Sequence, residues 1–202
     1  MPRHISHYVR AINSNRIPKG EIMKKLILTM TILALLAAVP ALAMDVFPDL
    51  ELNGSLTPEQ AAHLGVETAP LKVSDIKGDY LLVEVFSLYC PICQRDAPGV
   101  NDMRREIMAA DPGGTIRFIG IGAGNTPFEI NFYAKKYQAD FPLFHDEDFV
   151  AHKALNNVGT PAFYLVDLKS GLKLLFFHEG ELGDYKVMLD SVLKAVKDNG
   201  GL

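Results

Sequence analysis

The two cysteines of the chain stand three residues apart, as Cys90-Pro91-Ile92-Cys93, shortly after the apolar run 81–86. The run predicts a buried strand, and the pair is predicted to open the helix that follows. On the first turn of a helix two such sulfurs can close a disulfide, and the helix N-terminus favours a thiolate on the first of them. A strand that delivers a reactive cysteine pair to a helix start indicates redox chemistry.

The other possible uses of the cysteine pair are a structural disulfide and a zinc site. A structural disulfide that closes so short a loop removes little chain entropy, so it would stabilise the fold weakly. A four-cysteine zinc site is impossible with two cysteines, and none of the six histidines has a finger-like spacing from the pair. We therefore expect an exchange site that uses neither a metal nor a cofactor.

Residues 23–43 have the three parts of a secretory signal. Lys24 and Lys25 form a basic start, residues 26–39 are apolar, and residues 41–43 form a small-x-small exit. We expect this segment to be a signal peptide and the protein to be periplasmic or otherwise exported. In an oxidising compartment an exposed cysteine pair is driven toward the disulfide unless a donor keeps it reduced.

The segment before the signal is polar and without periodicity, so we interpret residues 1–22 as a mis-called upstream segment, with translation beginning at Met23. The alternative to cleavage is an uncleaved membrane anchor, because residues 26–43 are just long enough to span a bilayer. If the signal is cleaved, we expect no stable membrane span.

The predicted mature chain, residues 44–202, is long enough for one domain with a sizeable core. It carries 14 Lys and Arg against 23 Asp and Glu, a net charge of −9. That balance argues against nucleic acid and against an anionic membrane surface as partners.

Hydrophobic periodicity and capping signals predict an α/β domain with a mixed sheet covered by helices. A hairpin turn is predicted at Asn53-Gly54, and Val187, Leu189, Val192, Leu193 and Val196 are predicted to face the core from the last helix. The predicted strands are 81–86, 115–122, 141–144, 162–167 and 172–178, and the predicted helices are 57–64, 90–110, 127–137, 149–156 and 184–197.

Three further features stand at fixed positions around the cysteines: Glu84 in the preceding strand, Pro98 in the helix, and Gly159-Thr160-Pro161 before a later strand. With the cysteine pair, these features resemble the thioredoxin superfamily. Over about residues 45–202 the chain is most similar to exported thiol–disulfide oxidoreductases of the TlpA/ResA type and to the related redoxin (AhpC/TSA) group. The resemblance implies a thioredoxin-like fold with an N-terminal hairpin extension and a redoxin-type central insertion between residues 124 and 144.

The resemblance also implies a role for each thiol and for the buried acid. Cys90 would be the attacking thiolate and Cys93 the resolving thiol. Glu84 would have a raised pKa and accept the proton of Cys93. The alternative for Glu84 is an edge position, or pairing with Lys135 or Lys136.

Around the thiols, the resemblance implies that Pro161 is cis and holds Thr160 against the cysteine pair, where the neighbouring backbone can bind a client peptide. Tyr89, Pro91 and Ile92 would form an apolar rim for the client, with plain packing as the alternative. The family usually has Trp where this chain has Tyr89. Pro98 would kink the helix.

The leading functional hypothesis is an exported enzyme that exchanges disulfides with client proteins that carry cysteine pairs, more often as a reductant. A membrane thiol donor of the DsbD/CcdA kind would supply electrons. The Pro-Ile pair between the cysteines lacks the histidine of DsbA, so the reduction potential should lie below DsbA's roughly −120 mV, toward thioredoxin's roughly −270 mV.

Two other functions stay open. A Sco-like copper metallochaperone would pair the cysteines with a histidine, for which His145, His152 and His178 are candidates. A thiol peroxidase would need a proline and a threonine where this chain has Val83 and Ser87.

Overall fold

The structure is a computed structural model that describes residues 44–202 and, before them, Gly20 and Lys24 alone. Apart from Lys24, the predicted signal over 23–43 lies outside the described residues, as does the predicted upstream segment apart from Gly20. The stretch Met44–Leu202 forms one compact unit. Within the described part of the chain, no helix is both long enough and apolar enough to cross a bilayer.

Strands and helices alternate along this unit. The strands are β1 (Glu51–Leu52), β2 (Leu71–Lys72), β3 (Tyr80–Phe86), β4 (Ile116–Ala123), β5 (Leu143–Asp146), β6 (Ala162–Asp167) and β7 (Lys173–Glu179). The helices are α1 (Pro58–Leu64), α2 (Pro91–Ala110), α3 (Pro127–Tyr137), α4 (Val150–Ala154) and α5 (Tyr185–Asp198), with a 3₁₀ turn at Val73–Asp75. The predicted alternation of elements is confirmed.

Five strands form a mixed sheet in the order β5-β4-β3-β6-β7. Strand β3 is central: it pairs parallel with β4 and antiparallel with β6. Every residue of β3 is buried, because helices cover both faces of the sheet. Leu81, Val83 and Val85 point into one core, while Leu82 and Phe86 point into the other, which also contains Cys93.

The predicted hairpin at Asn53-Gly54 is wrong. Strand β1 does pair antiparallel, but its partner is β2, which follows only after α1. Asn53 instead bridges to His145, so the chain continues along the edge strand β5. The reason is a close approach of backbones, because a Cβ on Gly54 would lie 3.3 Å from the carbonyl oxygen of Leu143. The N-terminal extension is therefore a two-stranded sheet without a tight turn.

Two smaller predictions also differ from the structure. The strand predicted at 141–144 begins two residues later, at Leu143, since Phe141 packs edge-on against Phe118 in the core. In α5, Val187 is 67% exposed, whereas Met188 is buried. The buried face of α5 is formed by Met188, Leu189, Val192 and Val196, and Leu193 is partly buried beside that face.

Candidate active site

The two cysteines occupy unequal environments at the start of α2. Cys90 is the N-cap, and its Sγ accepts a hydrogen bond from the Cys93 amide at 3.1 Å. Both cysteines are free thiols; Cys90 is partly exposed, whereas Cys93 is fully buried. An amide donor and the helix N-terminus stabilise negative charge on the outer sulfur, as an attacking thiolate requires.

The Cys93 thiol lies in an environment that opposes its ionisation. Burial raises the pKa of Cys93, and the hydrogen bond with Cys90 adds to the rise, while a hydrogen bond from the Ser87 backbone offsets part of it. A thiol of this kind reacts as a nucleophile only if a nearby group takes its proton.

Glu84 is a buried acid whose charge acts on the Cys93 thiol. It is 1% exposed in the central strand, and its Oε1 has no hydrogen-bond partner in the described part of the protein. Burial raises the pKa of Glu84 to about 8, and the nearby Asp96 carboxylate adds to the rise. The alternatives of an edge position or a lysine partner are wrong. Strand β3 lies in the middle of the sheet, and Lys135 and Lys136 are exposed on α3, whereas Glu84 is buried.

The loop Gly159-Thr160-Pro161, which precedes β6, lies beside Cys90. The Thr160–Pro161 peptide bond is cis, and the Cys90 thiol donates to the Thr160 carbonyl at 3.2 Å. The loop is anchored because the Gly159 amide donates to Glu179 at 2.8 Å and the Gly180 amide donates to the Pro161 carbonyl at 2.9 Å. This backbone therefore lies directly beside the Cys90 sulfur.

The residues predicted to form a rim are exposed around Cys90. Tyr89 is 68% exposed and Ile92 is 38% exposed, and Pro91 between the cysteines is also exposed. The Tyr89 hydroxyl donates to Glu129, which belongs to the N-terminal capping box of α3. Pro98 lies within α2, which continues through it to Ala110.

Sequence reasoning missed the side chains that hold the loop before Cys90. The buried Asn125 accepts from the Leu88 amide at 2.8 Å through Oδ1, and Gln94 donates to the Leu88 carbonyl at 2.6 Å. It also missed Tyr133, whose hydroxyl donates to the Cys93 carbonyl at 3.4 Å. The spacing of Ile130 and Tyr133 on one face of α3 could have indicated burial, but no sequence signal places that face over the cysteines.

Two of the three candidate copper-ligand histidines have a ring nitrogen beside a backbone carbonyl. The His152 ring lies 2.8 Å from the Val158 carbonyl, and the His178 ring lies 2.9 Å from the Glu181 carbonyl. His145 joins Asn53 through its backbone. Among the residues that the structure describes, no group of three or more His, Cys, Asp or Glu side chains is placed to hold a metal ion.

Comparisons with known proteins agree with this arrangement. A model of the AhpC/TSA family matches residues 44–174. No curated protein sequence gives a significant match.

Several solved structures have the same fold. A secreted disulfide oxidoreductase of Mycobacterium tuberculosis, homologous to E. coli DsbE, is 17% identical, with a TM-score of 0.53 over 74% of this chain and 96% of that one. A putative thiol:disulfide interchange protein DsbE from Chlorobium tepidum is 21% identical, with a TM-score of 0.57 over 75% and 96%. A putative protein disulfide isomerase from Bacteroides thetaiotaomicron is 14% identical, with a TM-score of 0.57 over 76% and 89%. The predicted thioredoxin-like fold is confirmed.

Proposed function

Because the chain belongs to the AhpC/TSA family, we propose that it is a thiol–disulfide oxidoreductase that exchanges disulfides with client proteins through Cys90 and Cys93. The observation that carries the proposal is the asymmetry of the pair. One sulfur is accessible and capped by an amide, and the other is buried three residues further along the helix, near an acid of raised pKa. Exchange chemistry needs this division between attacking and resolving thiols.

In the reducing direction, the Cys90 thiolate attacks one sulfur of a client disulfide. The client S–S bond breaks, a mixed disulfide forms, and one client sulfur leaves as a thiolate. Cys93 then gives its proton to Glu84 and attacks Cys90 Sγ, which releases the second client thiolate. The Cys90–Cys93 pair is oxidised by two electrons and the client is reduced by two.

The geometry of the rim suits a polypeptide substrate. Extended client backbone can lie along the loop at Thr160 and Pro161, while exposed Tyr89, Pro91 and Ile92 offer apolar contact beside the attacking sulfur. We propose that the clients are proteins with cysteine pairs.

The direction and place of the reaction extend the proposal. We propose that the protein acts in an exported compartment as a reductant and that a membrane dithiol donor of the DsbD/CcdA kind returns it to the reduced state. The signal-like segment at 23–43 supports export, and the secreted mycobacterial structure with the same fold is consistent with it. The absence of a histidine between the cysteines supports the reducing direction.

Two measurements test the proposal. The first is the reduction potential of the cysteine pair, by equilibration in glutathione or dithiothreitol buffers. A value below about −220 mV supports a reductant, and a value between about −180 and −120 mV makes the protein an isomerase or an oxidant. A pair that does not titrate reversibly contradicts disulfide exchange altogether.

The second measurement traps the intermediate. Cys93→Ala should accumulate a mixed disulfide between Cys90 and a model disulfide substrate, because the resolving thiol is gone. The matched control, Cys90→Ala, retains a thiol but should form no adduct, since Cys93 is fully buried. Equal adduct formation by the two variants would contradict the assigned order of attack.

A further inference from the structure

Tyr133 is a buried hydroxyl that the exchange mechanism above leaves without a role. It belongs to α3 in the central insertion, is 1% exposed, and its ring lies 4.3 Å from the ring of Phe86. Its hydroxyl donates to the Cys93 carbonyl at 3.4 Å, beyond the usual range for such a bond. A buried hydroxyl held by one long bond is free to turn toward a better acceptor.

A better acceptor lies on the same face of the sheet. Side chains alternate along β3, so Glu84 projects to the side of Leu82 and Phe86, and Phe86 contacts the Tyr133 ring. The Glu84 Oε1 is buried and has no hydrogen-bond partner among the residues described. Burial raises the pKa of Tyr133, and the charges of Glu84 and Cys93 are the next causes, which places the three groups within electrostatic reach of one another.

The other groups around this cluster are few. The strand neighbours of Glu84 are Gly120 on β4 and Phe163 on β6, neither of which can titrate. From α2, Asp96 raises the pKa of Glu84. Tyr137 and Cys90 act on Tyr133 from α3 and from the start of α2. Among these described groups, the Tyr133 hydroxyl is a neutral hydrogen-bond donor within electrostatic reach of the Glu84 carboxyl.

We propose that Tyr133 is a positioning residue for proton transfer: its hydroxyl donates to the ionised Glu84 carboxylate and returns to the Cys93 carbonyl when Glu84 takes the proton of Cys93. The inference rests on the proposed function, because it concerns the resolving step of disulfide exchange. The hydrogen bond present in the structure, from the hydroxyl to the Cys93 carbonyl, is the one that this proposal assigns to the protein with Glu84 protonated. The insertion helix would thus contribute a proton-handling group to the cysteine pair.

The step balances without any further reactant. A proton moves from Cys93 Sγ to Glu84, the Cys90–client disulfide bond breaks, and the Cys90–Cys93 bond forms as the client leaves as a thiolate. Glu84 later loses the proton to solvent or to that thiolate. Tyr133 keeps its own proton throughout and changes only its acceptor.

Tyr133→Phe tests the proposal, because it removes one oxygen and keeps the ring that packs on Phe86. The Glu84 carboxyl should be titrated by carbon NMR in the reduced protein, with Glu84→Gln used to assign its signal. Loss of one hydrogen bond to the carboxylate should raise the Glu84 pKa by roughly 0.5 to 1. The pH dependence of the exchange rate should move in the same direction.

Tyr137→Phe is the matched control, since the Tyr137 ring lies 4.7 Å from the Tyr133 ring in the same helix. It should leave the Glu84 titration near the wild-type position. In a Glu84→Gln background, Tyr133→Phe should leave the pH profile of exchange unchanged. An unchanged Glu84 titration in Tyr133→Phe, or an equal shift in Tyr137→Phe, would overturn the proposal.

The test separates this inference from the proposed function. If the wild-type protein exchanges disulfides and the Tyr133→Phe titration is unchanged, the positioning role alone is wrong. If the wild-type protein exchanges no disulfide, the proposed function fails, and the NMR titration still reports whether the hydroxyl stabilises the carboxylate.

Discussion

Replacing the buried acid by its neutral isostere, Glu84→Gln, should make the stability of the protein less dependent on pH. In the folded state burial raises the pKa of Glu84 to about 8, whereas its ordinary value is 4.5. Between these two values the unfolded chain has lost the proton and the folded protein still holds it. Unfolding therefore releases a proton, and the free energy of unfolding falls as the pH rises.

The magnitude follows from the width of that window. Each pH unit inside it costs about 1.4 kcal/mol of stability, so the wild-type protein should lose about 3 kcal/mol of this contribution between pH 5 and pH 7. The glutamine variant has no group to titrate at this position. Its free energy of unfolding, relative to wild type, should therefore rise by about 3 kcal/mol over the same interval.

Urea unfolding of the reduced proteins at pH 5, 6, 7 and 8 measures the difference. Glu67→Gln is a control, because it makes the same replacement of a glutamate by glutamine at an exposed position in a loop. If wild type and Glu84→Gln also differ by a constant amount at all four values, Glu84 is not a buried acid of raised pKa. The proposed role of Glu84 as the proton acceptor of Cys93 would then also be wrong.

Three other predictions concern the scaffold around the site. Burial lowers the pKa of His63 to about 4, and the nearby positive charge of Arg117 adds to the effect. The free energy of unfolding should therefore fall as the pH drops from 6.5 toward 4. Urea unfolding should show a smaller fall for His63→Gln. In Gly122→Ala the new Cβ would collide with Ile130 Cδ1, so thermal unfolding should show a loss of about 1–3 kcal/mol. An unchanged midpoint would contradict this close packing. Thr126→Ala removes the N-cap side chain of α3 and should lower the free energy of unfolding by about 1 kcal/mol, measured in urea. If the wild-type protein and Thr126→Ala unfold at the same urea concentration, this expectation is wrong.

Local signals predicted much of this fold because they are strong where they occur. The continuous apolar run predicted β3 and its burial, and Thr126 followed by a proline predicted the start of α3 at its observed residue. The strand-to-helix pattern predicted that the cysteine motif opens α2, and the structure places Cys90 at the N-cap of that helix. These features depend on neighbours along the chain, which the sequence displays directly.

Features that depend on distant contacts were harder to predict. Asn53-Gly54 has the composition of a hairpin turn, but the approach of Gly54 to β5 decides its conformation. Likewise, nothing around Asn125 or Tyr133 in the sequence indicates that their side chains reach Leu88 and the Cys93 backbone. Pairing across the sheet and packing between helices determine such contacts, and the local periodicity of the sequence predicts neither of them.

Because Cys93 is buried, the reactivity of its thiol can also be used to measure local unfolding of the protein. The thiol is fully buried at a helix that starts directly after the central strand, so an alkylating reagent can reach it only when this part of the domain opens. With Cys90 replaced by alanine, the labelling rate of Cys93 therefore measures the equilibrium for that opening, as amide hydrogen exchange does for a backbone group. Conditions that expose the resolving thiol to irreversible oxidation should be the same ones that speed this labelling.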